Sequence, residues 1–376
     1  MMAAANRVLI IGGGFSGMSA AIELRKRGVE VDLVEIDPGW RSYGAGISLG
    51  GATLRAFRTL GILDEFLRRG AASDGVDVFL ANGAQVATLP TPRVAGPDVP
   101  GGGAILRPVL AAILADATRA SGAGVRLGCT FTTIAHDEGG VDVGFSDGSS
   151  GRYDLVIGAD GLYSKVRDVL FPDAPKPKYS GQGVWRAVLP RPPEVERAGM
   201  WLGPKVKTGV NPVSASEMYL FVTEDRAENT HVDPLRFVPM LKDLLAPFPA
   251  PLMQAIRGQL DESSQVIYRP LEALLMPQPW SVGRVVLIGD TVHATTPHMA
   301  SGACIGIEDA LVLAQELDKT TEVTGALAAF QARRWDRCRM VVENSCRLGE
   351  IEIAGGDKEE HGRIMRETLM SLAGPI

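Results

Sequence analysis

The stretch Arg7–Glu35, RVLIIGGGFSGMSAAIELRKRGVEVDLVE, decides the fold of this chain. Val8–Ile11 is a continuous apolar run, as expected of a parallel strand that is buried on both faces. A glycine-rich turn follows, and a helical segment then ends at Gly28. Val29–Val34 alternates as a second strand. The order of strand, turn, helix and strand predicts a βαβ unit within a parallel sheet.

The glycines of this turn, and the acid that ends the second strand, predict a dinucleotide site. Gly12, Gly14 and Gly17 allow a tight turn, close approach of the backbone to a pyrophosphate, and packing of the helix on the strand. The helix N-terminus favours an anion, so the turn needs no basic side chain. Glu35 stands where a carboxylate binds ribose hydroxyls. These residues alone do not distinguish NAD from FAD.

The composition limits the class of protein. A chain of 376 residues exceeds one ordinary domain and predicts two. The net charge of −6, without a basic stripe, argues against nucleic acid as a partner. No apolar run is long enough to predict a membrane span. The four cysteines form no CxxC pair and have no histidine at ligand spacing, which predicts no metal site and a reducing, cytoplasmic location.

The middle of the chain changes character several times. Residues 37–51 are glycine-rich and predict a loop, and the periodicity from Ala52 predicts one helix to Gly70. Short alternating runs around Asn82-Gly83 predict a β-hairpin. The Pro- and Gly-rich residues 91–103 predict a loop that is mobile or covers a site.

A second motif is Tyr153–Gly161, YDLVIGADG, which predicts a strand that runs into a turn. Asp160 in this turn either orients the backbone around a phosphate or ribose, or only caps the turn. From 179 to about 268, β-like runs predict a sheet outside the cofactor domain, interrupted by one helix at 234–245.

A third motif lies in residues 280–317, WSVGRVVLIGDTVHATTPHMASGACIGIEDALVLAQEL. Arg284–Ile288 predicts another buried strand, which ends at Gly289-Asp290, where a carboxylate can accept a hydrogen bond from a polyol. Ser301-Gly302-Ala303 begins a helix without bulky side chains, which leaves room for a planar ligand. Such a helix N-terminus stabilises the negative charge that a flavin acquires on reduction.

Together, the three motifs resemble the FAD fingerprints of the group A flavoprotein aromatic hydroxylases, including the short bacterial salicylate and 6-hydroxynicotinate hydroxylases. The resemblance covers about residues 6–335. It implies the α/β fold of p-hydroxybenzoate hydroxylase, in which a Rossmann-like FAD-binding domain is interleaved with a mainly β substrate domain and followed by C-terminal helices. The expected boundaries are 1–73, 104–178 and 281–330 for the FAD-binding domain, 74–103 and 179–280 for the substrate-binding sheet, and 331–376 for the helices.

The resemblance also implies which residues hold FAD. The pyrophosphate is expected at Gly12, Gly14 and Gly17, and the adenosine ribose at Glu35. The ribityl chain is expected at Asp290, and the flavin ring at Pro297, Gly302 and Ala303. The other implied contacts are Phe15, Ser16, Arg41, Arg107, Asp160 and Gly289. Thr291 and Ser301 depart from the family, which often has Ala at the first position and Gln at the second.

The implied activity is that of a single-component monooxygenase. In this family NADH or NADPH reduces FAD, O2 adds to form a C4a-hydroperoxide, and the distal oxygen attacks an electron-rich phenolic or hydroxy-N-heteroaromatic ring. The protein must exclude water and hold the ring close to the oxygen. No separate nicotinamide fingerprint is present in the sequence.

Several residues near the expected flavin site are candidates for substrate contact or catalysis. Arg186 can pair with a carboxylate or phenolate of the substrate, or be a solvated strand arginine. Tyr219 and Phe221 alternate to one face, for substrate contact or for packing. Pro297 and His298 precede the flavin helix, and His298 is the candidate acid/base unless it only hydrogen-bonds the backbone. His293, in the third motif, is expected to be structural.

Other classes of protein share parts of this pattern. A flavin-dependent halogenase is disfavoured because no WxW segment occurs, and a non-catalytic carrier is disfavoured by the intact Gly-Asp and Asp-Gly motifs. An FAD-dependent reductase or oxidase that inserts no oxygen stays open. We expect the partners to be an aromatic small molecule and O2, and the chain to be a monomer or homodimer.

Overall fold

The computed structural model describes residues 4–203 and 206–376. The strands in these ranges are β1 (Arg7–Ile11), β2 (Glu30–Glu35), β3 (Gly46–Gly50), β4 (Ala71–Ser73), β5 (Val76–Leu80), β6 (Gln85–Leu89), β7 (Gly102–Leu106), β8 (Gly124–Leu127), β9 (Phe131–His136), β10 (Val141–Phe145), β11 (Ser150–Tyr153), β12 (Leu155–Gly158), β13 (Lys178–Pro190), β14 (Ala198–Leu202), β15 (Val206–Pro212), β16 (Glu217–Asp225), β17 (Val266–Ala273), β18 (Ser281–Val282) and β19 (Val285–Leu287). The α-helices are α1 (Phe15–Lys26), α2 (Gly51–Leu60), α3 (Leu63–Arg69), α4 (Arg107–Ala120), α5 (Lys165–Leu170), α6 (Phe237–Leu245), α7 (Pro251–Gln259), α8 (Asp290–His293), α9 (Gly302–Lys319), α10 (Val323–Ala354) and α11 (Lys358–Ala373). Short 3₁₀ turns cover Pro234–Arg236 and Pro297–Met299.

The predicted βαβ unit is confirmed and forms the centre of a six-stranded sheet. The strand order is β18-β19-β12-β1-β2-β8, and β1 pairs in parallel with both β2 and β12. The apolar side chains of β1 are buried because helices and other elements cover both faces. All three motifs therefore deliver their turns to the carboxyl edge of one sheet, which is where such sheets bind ligands.

Two glycines make the first turn possible. Gly12 has a φ of 110°, and a Cβ there would lie 2.4 Å from the carbonyl oxygen of Ala159. A Cβ on Gly17 would lie 2.0 Å from the carbonyl oxygen of Gly12. Both contacts are with backbone atoms, so α1 packs this closely on the sheet only when these residues are glycine.

A separate seven-stranded sheet has the order β17-β13-β16-β15-β14-β5-β6. It contains the predicted hairpin, since β5 and β6 are antiparallel neighbours joined at Asn82-Gly83. Its core is built from aromatic and aliphatic side chains such as Trp185, Phe248 and Met253. Two small sheets, β11-β10-β9 and β3-β7-β4, complete the architecture. The predicted α/β fold with C-terminal helices is confirmed.

Some local predictions were wrong. The helix expected from Ala52 to Gly70 is split into α2 and α3 by Gly61, which has a left-handed φ of 81°. Part of the loop expected at 37–51 is strand β3, because Gly46–Gly50 finds its partner in the distant β7. The large sheet is interrupted by two α-helices instead of one, since α7 follows α6.

The C-terminal helices pack against the cofactor end of the molecule. α9 lies on α1, and the 32-residue α10 runs along α9 and reaches β13. α11 then folds back on α10. In the part of the chain that the structure describes, no helix is both long enough and apolar enough to cross a bilayer.

Candidate active site

A cavity of about 550 Å³ opens where the turns of the three motifs converge. The predicted cofactor residues that line it are Gly14, Phe15, Ser16, Glu35, Arg41, Arg107, Asp290, Pro297, Gly302 and Ala303. Arg186 and Tyr219 line the same cavity from the seven-stranded sheet. The structure therefore brings together residues that are almost three hundred positions apart in the sequence.

The other predicted residues lie outside this cavity. Gly12 and Gly17 shape the turn behind it, and a Cβ on Gly289 would lie 2.3 Å from Ser16 Oγ. Phe221 lines neither this cavity nor the second one described below. Asp160 accepts hydrogen bonds from the N–H groups of Lys165 and Val166, at 2.7 and 3.1 Å. These hydrogen bonds cap α5, so a role in the turn is enough to explain why a carboxylate stands at position 160. Contact of Asp160 with a cofactor stays a prediction.

The carboxylate of Glu35 is fixed by the backbone around it. Its Oε2 accepts from the Gly13 N–H at 2.7 Å, and its Oε1 accepts from the Asp37 N–H at 2.8 Å. Trp40, for which the sequence carries no local signal, donates its indole N–H to the Gly13 carbonyl at 2.8 Å. Glu35 is thus held at the cavity wall with lone pairs still available for ribose hydroxyls.

A Glu35→Ala variant is expected to lower the affinity for FAD by about ten- to a hundredfold. The reason is that hydrogen bonds to a charged group contribute about 1.5–3 kcal/mol each. Fluorescence titration of the flavin-free protein with FAD measures this. The matched control is Glu30→Ala, which removes an exposed carboxylate from the other end of β2 and should leave the affinity unchanged. Equal affinities for the two variants would contradict the role of Glu35.

Opposite charges face each other across the cavity. The Arg107 Nε is buried without a hydrogen-bond partner, and the guanidinium forms no ion pair with any residue of the described ranges. Burial lowers the pKa of Arg107, although the nearby Asp290 opposes the shift. Burial likewise raises the pKa of Asp290, whose side chain nevertheless opens into the cavity. The Arg107 guanidinium lies over the Phe15 ring but has no ion pair at this wall, which indicates that an anion completes the site.

These groups fit FAD. The main-chain N–H groups at the starts of α1 and α9 suit a pyrophosphate and an electron-rich ring edge. Glu35 and Asp290 offer carboxylate acceptors for ribose and ribityl hydroxyls, and Arg107 offers charged donors to an anion.

Residues 5–345 match the protein family described as FAD binding domain. The chain belongs to this family. It is 32% identical over 351 residues to the aurachin C monooxygenase/isomerase of Stigmatella aurantiaca, with 92% of this chain and 89% of the relative covered. The same identity and coverage relate it to the 2-heptyl-3-hydroxy-4(1H)-quinolone synthase of Pseudomonas aeruginosa.

The fold is shared with solved flavoenzymes. The crystal structure of HpxO from Klebsiella pneumoniae, complexed with FAD and uric acid, superposes with a TM-score of 0.84. It is 24% identical and covers 98% of this chain and 97% of its own. The predicted family and the FAD cofactor are confirmed, and the chain is a flavoprotein monooxygenase, not a reductase or oxidase. NADH or NADPH is the reductant typical of this family.

The monooxygenase has a second cavity, of about 530 Å³, next to the first. Ser48, Ala300 and Ser301 belong to the walls of both. Residues of the predicted covering loop, among them Pro92 and Val94, also line the second cavity. That loop is tied to the protein, because the Gly101 N–H donates to Asp74 at 2.8 Å.

His298 lies at the second cavity, and Pro297 lies at the first. The His298 side chain is only 2% exposed. Its Nδ1 lies 2.9 Å from Thr296 Oγ1, and its Nε2 lies 3.5 Å from Glu352 Oε2. The alternative role, a hydrogen bond from the imidazole to the backbone, is not observed, because both polar neighbours of the His298 ring are side chains. Whether His298 is an acid/base stays a prediction.

Arg186 and Tyr219 are less exposed to solvent than side chains on a solvated strand would be. Tyr219 is buried, and its hydroxyl contacts Ser48, which belongs to both cavities. Burial lowers the pKa of Arg186 and raises the pKa of Tyr219. Arg186 forms no ion pair with the residues described by the structure, so its charge is available to a ligand. The choice between substrate contact and packing for these residues stays a prediction.

A buried charge network supports the third motif from behind. Asp309 Oδ2 lies 2.5 Å from His293 Nε2 and accepts from the Gly289 N–H at 2.9 Å, while Arg334 Nε donates to Asp309 Oδ1 at 2.8 Å. Ligand atoms of His293, Asp309 and Cys338 lie within 4.8 Å of one another, a grouping that can hold a metal ion. The guanidinium of Arg334 already supplies positive charge there. The sequence offers no local signal for this cluster, because its members belong to three different elements.

Proposed function

We propose that this monooxygenase uses NADH or NADPH and O2 to hydroxylate an electron-rich phenolic or hydroxy-N-heteroaromatic ring that carries an apolar substituent. The observation that carries the proposal is the common wall of the two cavities, formed by Ser48, Ala300 and Ser301. A ring that lies at this wall can therefore contact a cofactor and polar groups in the first cavity, while its apolar substituent fills the second. The aromatic substrate is the small-molecule partner, with O2 as the second substrate.

The lining of the second cavity supports an apolar substituent. Its aliphatic and thioether side chains are Leu49, Leu67, Val76, Val94, Met299, Met365, Leu369 and Leu372. The charged Arg191 on this wall donates to the carbonyls of Val195 and Ser214, at 2.7 and 3.0 Å, so its hydrogen-bonding capacity is largely used within the protein. The name of one relative, 2-heptyl-3-hydroxy-4(1H)-quinolone synthase, agrees with such a substrate, because it specifies an alkyl chain on a hydroxyquinolone ring.

When bound, FAD supplies the electron transfer and the activation of O2. The residues proposed to hold it are Glu35, Arg107, Asp290 and the backbone at Gly302, supported by the glycine turn at Gly12 and Gly17. The protein keeps water from the reacting ring with the apolar wall and the covering loop. It also orients that ring, with Tyr219 and Arg186 facing the same space.

The proposal also covers the domain boundaries, the cellular location and the oligomeric state. We assign the cofactor to the discontinuous domain 1–73, 104–178 and 281–330, and the substrate to the sheet domain 74–103 and 179–280, with 331–376 closing the site. The four free cysteines, three of them buried, support a reducing cytoplasmic location. We propose a monomer or a homodimer as the working form.

The test is NAD(P)H oxidation by the purified enzyme, with peroxide measured in parallel, over 2-alkyl-4-quinolones, hydroxybenzoates and hydroxypyridines. A 2-alkyl-4-quinolone is expected to accelerate oxidation with little peroxide, more strongly than the ring without the alkyl chain. Faster turnover of hydroxybenzoates would overturn the apolar substituent and favour recognition of a carboxylate by Arg186. Oxidation that ends as peroxide with every compound would contradict hydroxylation itself.

A Leu369→Trp variant is expected to raise the KM for the alkyl substrate by about tenfold while FAD affinity is unchanged. The larger side chain fills part of the second cavity, and overpacking costs about 1–3 kcal/mol. Steady-state kinetics and flavin absorbance measure the two quantities. The neighbouring Met370 is 75% exposed, so Met370→Trp is the matched control and should behave as wild type. A wild-type KM in the Leu369→Trp variant would show that the substrate lies elsewhere.

A further inference from the structure

A line of polar side chains leads from the first cavity into the C-terminal helices. Thr296, which lines the first cavity, has its Oγ1 2.9 Å from His298 Nδ1. On the other side of the imidazole, His298 Nε2 lies 3.5 Å from Glu352 Oε2 on α10. The groups thus follow the order hydroxyl, imidazole and carboxylate.

Glu352 is held in place by two further groups. Its Oε1 lies 2.5 Å from Lys207 Nζ on β15 and 3.1 Å from His361 Nε2 on α11. Groups from β15 and α11 therefore fix one oxygen of this carboxylate, while its Oε2 faces His298.

His298 Nε2 is buried and has no hydrogen-bond partner among the residues that the structure describes. Buried polar groups are nearly always satisfied, and exceptions concentrate where chemistry occurs. The 3.5 Å gap to Glu352 is longer than a hydrogen bond, and catalytic hydrogen bonds often tighten only when substrate is bound. Gly349 lets α10 pass the ring closely, since a Cβ there would lie 3.1 Å from His298 Cε1.

The protonation states suit a base. Burial lowers the pKa of His298, against the opposing effect of Glu352, so the imidazole is neutral at neutral pH. Burial alone would raise the pKa of Glu352, but the charge of Lys207, the hydrogen bond of His361 and the nearby His298 lower it overall. The cluster therefore contains a neutral imidazole beside an ionised carboxylate.

We propose that Thr296, His298 and Glu352 form a proton-accepting triad for the ring hydroxyl of the substrate, with Glu352 as a positioning residue. The proton of the substrate O–H passes to Thr296 Oγ1 as the proton of Thr296 passes to His298 Nδ1. The electron pair of the broken O–H bond stays on the substrate oxygen, and Glu352 stabilises the imidazolium without taking the proton. After ring hydroxylation the proton returns along the same path.

This inference rests on the proposed function and deepens it. An ionised ring oxygen makes the ring more electron-rich, and so more reactive toward an electrophilic oxygen. General acid–base catalysis of this kind contributes about 10²- to 10⁴-fold when the base is well placed. Lys207 and His361 take part by anchoring Glu352, and neither is required to exchange a proton.

The test compares Glu352→Gln and Thr296→Val with Glu350→Gln, which removes an exposed carboxylate two residues away on α10. The compound used is the member of the panel that the wild-type enzyme hydroxylates. Hydroxylation is followed over pH, and the ionisation of the same compound bound to the oxidised enzyme is followed by its own ultraviolet absorbance. FAD content and substrate-free NAD(P)H oxidation report whether the variants are folded and loaded.

At neutral pH, we expect Glu352→Gln and Thr296→Val to hydroxylate at least about tenfold more slowly than wild type. The pKa of the bound compound should be higher than in wild type by about one unit or more, which corresponds to the same tenfold factor. The defect should disappear at a pH where the free compound is already ionised, because no base is then needed. A structural role for Glu352 would not produce this recovery.

Two outcomes separate the hypotheses. If wild type hydroxylates a compound and Glu352→Gln matches Glu350→Gln at every pH, the triad is overturned and the proposed function stands. If Glu352→Gln is slow at every pH, with no shift in the ionisation of the bound compound, the triad is also overturned. A wild-type enzyme that hydroxylates nothing would instead overturn the proposed function.

Discussion

An Asp309→Ala variant is expected to lose about 3–5 kcal/mol of folding free energy. The substitution removes the buried carboxylate that pairs with both His293 and Arg334 and that accepts from the Gly289 N–H, so that Arg334 keeps only its ion pair with Glu308. Burial alone would raise the pKa of Asp309, but the charges of His293 and Arg334 lower it to about 2. A loss of this size is a large part of the stability of a typical protein, so the FAD content should fall as well.

Chemical denaturation followed by circular dichroism measures this loss. Asp318→Ala is the matched control, because Asp318 is an exposed carboxylate near the end of the same helix, and its removal should change the unfolding free energy by less than about 0.5 kcal/mol. A destabilisation of Asp309→Ala that is no larger than that of the control would show that the buried network does not stabilise the fold.

The second large effect is expected for Arg107→Met, which should bind FAD at least ten- to a hundredfold more weakly. Each hydrogen bond from a charged donor contributes about 1.5–3 kcal/mol. The stability of the flavin-free protein should not fall, because the half-buried guanidinium has no ion pair to lose and methionine can replace its packing on the Phe15 ring. General damage to the fold cannot produce weaker FAD binding without a loss of stability in the flavin-free protein.

Flavin fluorescence titration and denaturation without FAD test the two parts. Arg366→Met, which removes an exposed arginine from α11, is the control for the loss of one positive charge. If Arg107→Met binds FAD like this control, the unpartnered guanidinium does not serve the cofactor. If it also unfolds more easily without FAD, then Arg107 is a structural residue.

The sequence was sufficient to predict the first βαβ unit because every local signal there agrees. The apolar run of β1, the glycine spacing and Glu35 each predict the same structure. The turn could be located in the sequence because Gly12 and Gly17 pack against backbone, where no other residue fits. Most of the residues predicted at the cofactor line one cavity, because the carboxyl ends of parallel strands meet at one edge of the sheet.

Contacts between distant elements could not be predicted in this way. Glu352 meets His298 because α10 returns along the third motif, and nothing near Glu352 in the sequence indicates a histidine 54 positions earlier. The same holds for Arg334, whose buried partner Asp309 lies on another helix. Strand β3 was missed because its stability comes from pairing with β7, while its own residues are rich in glycine.

As a hydroxylase, the enzyme inserts one oxygen atom from O2 into an aromatic ring. The decisive measurement is turnover of the accepted compound under ¹⁸O₂ in ordinary water, with the product weighed by mass spectrometry. We expect one heavy oxygen atom in each product molecule, and none when the label is in the water. A product without label, or label recovered only in hydrogen peroxide, would contradict hydroxylation.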